Sequence, residues 1–221
     1  MRHASALPDG LPALRAIGAE ILGLLLAAQC AGCGAPEVLL CDDCRDELSP
    51  RPIESLTPGG LRVRAALTFD GVRARCIRRL KDDGETLLSR PLGTALAAAL
   101  PGRHARLPLL VPVPTSRRSM RRRGYRVPEL LIRGAGARPL RVLSEVRARR
   151  DQRGLDAAGR AANVRGSMRA RTAGRRREVI IVDDVMTTGA TVDEAAATLE
   201  RAGFRVLCAV VLAATPHHSE P

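Results

Sequence analysis

Residues 179–182 are an unbroken run of valine and isoleucine, and the run ends in two adjacent carboxylates, Asp183 and Asp184. A segment apolar at every position suits a strand buried on both faces, the state of strands in a parallel sheet covered by helices. The strand is expected over residues 178–182, with both acids at its exposed carboxyl end, the edge where open α/β sheets bind ligands. Val185, Met186, Thr187, Thr188, Gly189, Ala190 and Thr191 follow. Small residues and Gly189 let backbone N–H groups come close to an anion. The hydroxyls of Thr187, Thr188 and Thr191 add donors, and the helix expected to follow adds the positive end of its dipole. Carboxylates beside a phosphate cradle fit one ligand: a sugar phosphate whose hydroxyls face the acids and whose phosphate sits in the loop.

The rest of the chain supplies the scaffold for such an edge. Strands are expected over residues 61–69, 107–113, 140–143 and 204–213, and helices over 71–80, 86–100, 127–133 and 191–202. Residues 81–84 read as a turn, and Pro91 falls in the first turns of its helix or divides it. Thr191 and Glu194 have capping-box spacing, and Gly203 reads as the stop of the last helix. Residues 147–177 have no clean period. Apolar strands alternating with helices mean a parallel α/β sheet. The Pro/Gly/Ser-rich stretch 49–60 reads as a connector, dividing residues 1–50 from a domain over 61–214.

Two other uses of an acidic strand end fail on the sequence. A nucleotide-hydrolase strand of this kind needs a Gly-x4-Gly-Lys-[Ser/Thr] loop elsewhere. Lys81 is the only lysine, and Leu80 precedes it. A receiver-type acid cluster would need a lysine late in the chain, and none is there.

Six cysteines are present. Cys30, Cys33, Cys41 and Cys44 form C-x2-C-x7-C-x2-C, a spacing in which two knuckles can bring four thiolates to one tetrahedral zinc. Four protein ligands leave no open position, so such a zinc is structural. Paired disulfides would need an oxidising compartment. Cys208 reads as a buried core thiol. Cys76 lies between Arg75 and Arg78, which could lower its pKa, or is a partly buried thiol without special chemistry.

The net charge is +13, and residues 101–178 hold 22 arginines against 5 acids, or +17, leaving the rest of the chain at −4. A basic central third points to an anionic partner: phosphate, pyrophosphate or nucleic acid. Phe69, Tyr125 and Phe204 are the only aromatics, too few for a base-stacking platform. Near the start, Arg2, His3 and Arg15 precede the apolar run 21–28. Glu20 within the segment and Gln29 before Cys30 argue against a secretory signal. The run is far short of the about 20 residues a membrane span needs. Residues 12–28 are expected to form an amphipathic helix, and the protein is expected in the cytoplasm.

With these motifs in place, the strand, acid pair and threonine loop resemble the signature of type I phosphoribosyltransferases. The four-cysteine module in front resembles the ComF/GntX group, the competence-protein F family. The strand and loop around Leu109, Pro112, Thr115 and Arg118 resemble the family's pyrophosphate loop. Arg123-Gly124-Tyr125 resembles its Arg-Gly-aromatic element, and Arg150 to Leu155 with Arg160 and Asn163 resembles its flexible loop. Where the family follows the aromatic with Asn-Gln, this chain has Arg126-Val127, so base or acceptor contacts are not carried over from that element.

The resemblance implies a Rossmann-like phosphoribosyltransferase domain that binds phosphoribosyl pyrophosphate with Mg²⁺. Asp183 and Asp184 would hold the ribose hydroxyls. Met186, Thr187, Thr188, Gly189, Ala190 and Thr191 would hold the 5′-phosphate. Thr115, Ser116, Arg117 and Arg118 would face the pyrophosphate with Arg123 nearby, and the segment 149–163, with Gln152, would close over the leaving group. The alternative it implies is a non-catalytic accessory protein of DNA uptake that binds single-stranded DNA or a partner helicase.

Overall fold

The computed structural model describes residues 29–101, 108–146 and 164–215, and the first elements among them are helix α1 (Asp42–Glu47) and strands β1 (Ile53–Leu56) and β2 (Arg62–Thr68). Helix α2 (Gly71–Arg78), a π-helical turn (Arg79–Asp83), a 3-10 turn (Thr86–Leu88) and helix α3 (Ser89–Ala99) come next. Then follow β3 (Leu109–Pro112), α4 (Arg117–Arg123), α5 (Val127–Gly134), β4 (Leu143–Glu145) and β5 (Met168–Ala170). The last elements are β6 (Glu178–Met186), α6 (Ala190–Arg201) and β7 (Arg205–Ala214). The expected helix over residues 12–28 lies outside the described residues, as does the segment 149–163 with Gln152.

The main sheet has the order β1-β2-β7-β6-β3. β2, β7, β6 and β3 run parallel, and β1 is antiparallel at the edge. This is the mixed α/β architecture expected of the apolar strands. Residues 179–182 are buried on both faces because each face is covered. Ile180 and Val182 pack with Ile77, Leu80, Leu92, Leu96, Leu131 and Ile132, from α2 through α5. Val179 and Ile181 pack with Val192, Ala195 and Leu199 of α6 and with Leu143 and Met168 of the small antiparallel β4–β5 pair. A core with so few aromatics fits by close approach. A Cβ on Gly93 of α3 would lie 2.4 Å from the backbone of Gly134 in α5, so those helices touch nearly backbone to backbone.

Several boundaries differ from expectation for local physical reasons. β6 does not stop at Val182. β7 supplies partners as far as Ala214, so Asp183, Val185 and Met186 are paired within the ladder. The acids therefore sit inside the strand and are half-buried. The connector 49–60 contains β1, which pairs with β2 from Ile53 to Leu56. The expected strand at 140–143 is instead a crossing. Pro139 makes an isolated parallel bridge with Leu110, where Leu140 N–H donates to the Leu110 carbonyl at 2.8 Å, and a ladder forms from Leu143, with β5. The expected turn at 81–84 is mostly π-helix, and Pro91 sits in the first turn of α3. The capping box does not form: Gly189 is the N-cap of α6 without a side-chain bond. Glu194 instead accepts from Gly166 N–H at 3.0 Å and Thr198 Oγ1 at 3.3 Å. Among the described residues no helix is long and apolar enough to cross a membrane.

Candidate functional site

β6 delivers Asp183 and Asp184 to opposite faces of the sheet, because side chains alternate along a strand. Asp183 lines one cleft with Val185, residues 186–192 and Val164. Met186, Thr187, Thr188, Gly189, Ala190 and Thr191 all belong to that cleft. Asp184 lies toward α2. Its Oδ1 accepts from Val185 N–H at 2.6 Å, and its Oδ2 meets Lys81 Nζ at 3.0 Å. Asp183 Oδ1 accepts from Asp184 N–H at 2.8 Å.

The cleft's floor depends on Gly189. Its φ of +78° lies in the left-handed region, and an added Cβ would come within 2.9 Å of Thr57 Cγ2. Val192 and Asp193 N–H groups then bond back to the Gly189 carbonyl, each at 3.0 Å. The turn after β1 braces this loop. Thr57 Oγ1 donates to Asp193, and Gly59 N–H donates to the same carboxylate at 3.0 Å. The stretch that read as a connector is thus a buttress of the loop.

Thr115 lies across the sheet edge, in a separate 250 Å³ cavity with Arg117, Arg126, Glu129, Arg141, Glu145 and Arg171 among its walls. The loop after β3 is short because α4 begins at Arg117. Ser116 caps it, its Oγ accepting from Ser119 N–H at 3.1 Å. Arg117 N–H donates to Glu145 Oε2 at 3.3 Å, and Arg118 is exposed. Arg123, at the other end of α4, reaches Asp82 in the π-helical turn at 3.2 Å. Asp183 and the Thr187–Thr191 residues are brought together; Thr115, Ser116, Arg117, Arg118 and Arg123 form a second group along α4.

Two features here carry little or no signal in the sequence. α4 carries five arginines and no apolar stripe, so its only signals were Ser116 as cap and Gly124 as stop. Lys81 is remote in sequence from the acids. Its place beside Asp184 had no local signal.

The four cysteines converge, their sulfur atoms all within 4.8 Å of one another. Cys30–Cys41 and Cys33–Cys41 sulfurs are 3.6 Å apart, too far for disulfides. Tetrahedral zinc with Zn–S bonds of about 2.3 Å puts sulfurs roughly 3.8 Å apart, so the donor set fits. This cluster could hold a structural zinc. Burial pushes the Cys30 thiol up, but donors from the Cys41, Cys33 and Gly32 backbone outweigh it and bring it to about 6. Burial and the neighbouring thiols push Cys44 up. Cys76 is fully buried, and burial raises it to about 11, overriding Arg75. Cys208 is also buried and raised.

Residues 121–221 match the family model described as the phosphoribosyl transferase domain. The match supports a phosphoribosyltransferase-type domain. It takes in β6, the acid pair, the threonine loop and α6. No curated protein matches the chain.

Proposed function

We propose that the chain binds phosphoribosyl pyrophosphate with Mg²⁺ and transfers or hydrolyses its phosphoribosyl group. The observation that carries this is a single cleft joining Asp183 to residues 186–192 at the carboxyl end of a central parallel strand, within the segment that matches the domain. The 5′-phosphate would take backbone N–H donors and hydroxyls from Thr187, Thr188 and Thr191. The ribose hydroxyls would donate to Asp183, with Asp184 as the second acid of the edge. Thr115, Ser116, Arg117, Arg118 and Arg123 would lie on the pyrophosphate side, and Gln152 in the covering segment.

Reaction at C1 of ribose passes through an oxocarbenium-like state. A carboxylate edge stabilises positive charge on the sugar, and fixed cations stabilise the departing pyrophosphate. Asp183 and Asp184 would help to hold Mg²⁺, an oxygen-seeking ion whose chemistry when bound is to neutralise the leaving group.

The test is thermal unfolding with millimolar Mg-phosphoribosyl pyrophosphate. At a hundredfold excess over Kd a ligand adds about 2.7 kcal/mol, which for a chain this size raises Tm by roughly 5–10 °C. Asp183→Asn should remove that rise with zinc content unchanged. No rise in the wild type would overturn the reading.

The cysteine cluster in front of such a domain supports the narrower placing in the ComF/GntX group. A second reading, an accessory of DNA uptake that binds single-stranded DNA or a helicase, is favoured by α4, whose Arg117, Arg118, Arg121 and Arg122 are exposed on one short helix. Binding of this kind should weaken with salt at a slope of about −0.7 per phosphate neutralised. Salt-independent binding, or a strong base preference, would count against it.

A further inference from the structure

We propose that Lys81 belongs to the ligand site and is the cation that receives the diphosphate end of the donor, a proposal that rests on reading the β6 edge as a phosphoribosyl pyrophosphate site. Lys81 is the chain's one lysine. It stands in the π-helical turn Arg79–Asp83, a form of helix that recurs at functional sites. The turn is held from several sides. The Tyr125 hydroxyl donates to the Leu80 carbonyl, and Arg122 and Arg123 both reach Asp82. Arg79 pairs with Glu85 at 2.7 Å, and Leu80 is fully buried beneath. The ammonium is therefore presented from a fixed base. It lies 3.0 Å from Asp184, with both side chains mostly covered, at 25% and 14% exposure.

The direction follows from the strand. Asp183 faces the loop that would take the 5′-phosphate. Asp184 faces Lys81, on the other side of β6. The same turn is gripped by the far end of α4, the helix that starts directly after Thr115 and Ser116. The part of the donor remote from its 5′-phosphate is its diphosphate. Beside two carboxylates, a fixed positive charge adds to the attraction that a diphosphate with its Mg²⁺ would meet at this edge. An ammonium with three donors on a flexible stem can keep one bond to Asp184 and give another to a phosphate oxygen.

A single lysine makes the test direct. Acylation of the wild-type, zinc-containing chain with acetic anhydride labels Lys81 and the α-amino group, which peptide mass mapping separates. Mg-phosphoribosyl pyrophosphate, or inorganic pyrophosphate with Mg²⁺, should slow labelling of Lys81 at least about fivefold, and ribose 5-phosphate should not. By calorimetry, Lys81→Met should weaken Mg-phosphoribosyl pyrophosphate at least about tenfold, the scale of a lost charged hydrogen bond, with ribose 5-phosphate within about threefold. Lys81→Arg should recover most of the loss.

Equal weakening of both ligands would make Lys81 a structural pair and overturn the proposal. So would wild-type affinity in Lys81→Met, or no protection of Lys81 where the ligand raises Tm. If Lys81→Met does not fold, the labelling of the wild type decides alone. If the wild type shows no binding of Mg-phosphoribosyl pyrophosphate, the underlying reading of the site fails and takes this one with it.

Discussion

The cysteine cluster draws all four side chains from residues 30–44, whereas the acid edge of β6 draws its surroundings from stretches far apart. Thr57 and Gly59 brace the loop, Lys81 holds Asp184, and Val164 closes the cleft. The first is a local device whose geometry is set by two short knuckles. Cys30 N–H bonds to the Ala35 carbonyl at 2.7 Å, Ala31 N–H to Leu39 at 2.9 Å, and Cys41 N–H to the Cys30 sulfur at 3.4 Å. The second exists only when the sheet is complete. A motif can thus name a site's centre without naming its walls.

The two regions are not separate bodies of core. Cys30, Leu40, Cys44 and Leu48 lie in the same buried cluster as Ile77, Leu80, Leu92 and Ile180. Arg75 donates to the Gly32 carbonyl, and a Cβ on Gly32 would strike Val72 Cγ1 at 2.8 Å. α2 thus links the cysteine cluster to the turn that carries Lys81.

The largest expected effect breaks the local device. Structural zinc contributes about 10–16 kcal/mol of binding in small peptides. Cys44→Ser should drop bound zinc from about one equivalent to under a tenth, read by elemental analysis, and should lower Tm by several degrees because Cys44 is core as well as ligand. A variant that kept its zinc would make the cluster something other than a four-thiolate site.

Next comes the shared core. Leu96→Ala removes a fully buried side chain of α3 and should cost about 2–5 kcal/mol. Zinc release, followed with a colorimetric chelator, should coincide with loss of helical signal on heating in both wild type and variant. Zinc release in an earlier, separate transition would divide what the buried cluster joins.

The smallest expected effect lies in the loop after β6. Gly189→Ala forces a left-handed backbone on a residue with a Cβ and crowds Thr57, at about 1–2 kcal/mol. Zinc content should not change, while the Tm rise with Mg-phosphoribosyl pyrophosphate should shrink. If zinc is lost as well, the two regions are coupled more tightly than their contacts suggest.

The apolar run 179–182, the acids after it, the threonine loop and the paired C-x2-C were legible because each is a short-range pattern. Burial on both faces demands an all-apolar strand, and one metal demands clustered thiolates. The sequence thereby determined a mainly parallel α/β sheet, the position of its acid strand and the cysteine cluster. The pairing partners decided the rest. β6 runs on to Met186 because β7 has free partners there. Residues 53–56 are a strand because β2 has an open edge. Glu194 serves Gly166 instead of a helix cap because folding brings that N–H to it. Lys81 reaches Asp184 because α2 and the π-helical turn pack on the face of β6 to which Asp184 points. A strand's alternation sends neighbouring side chains to opposite faces, and what waits on each face is fixed by tertiary packing.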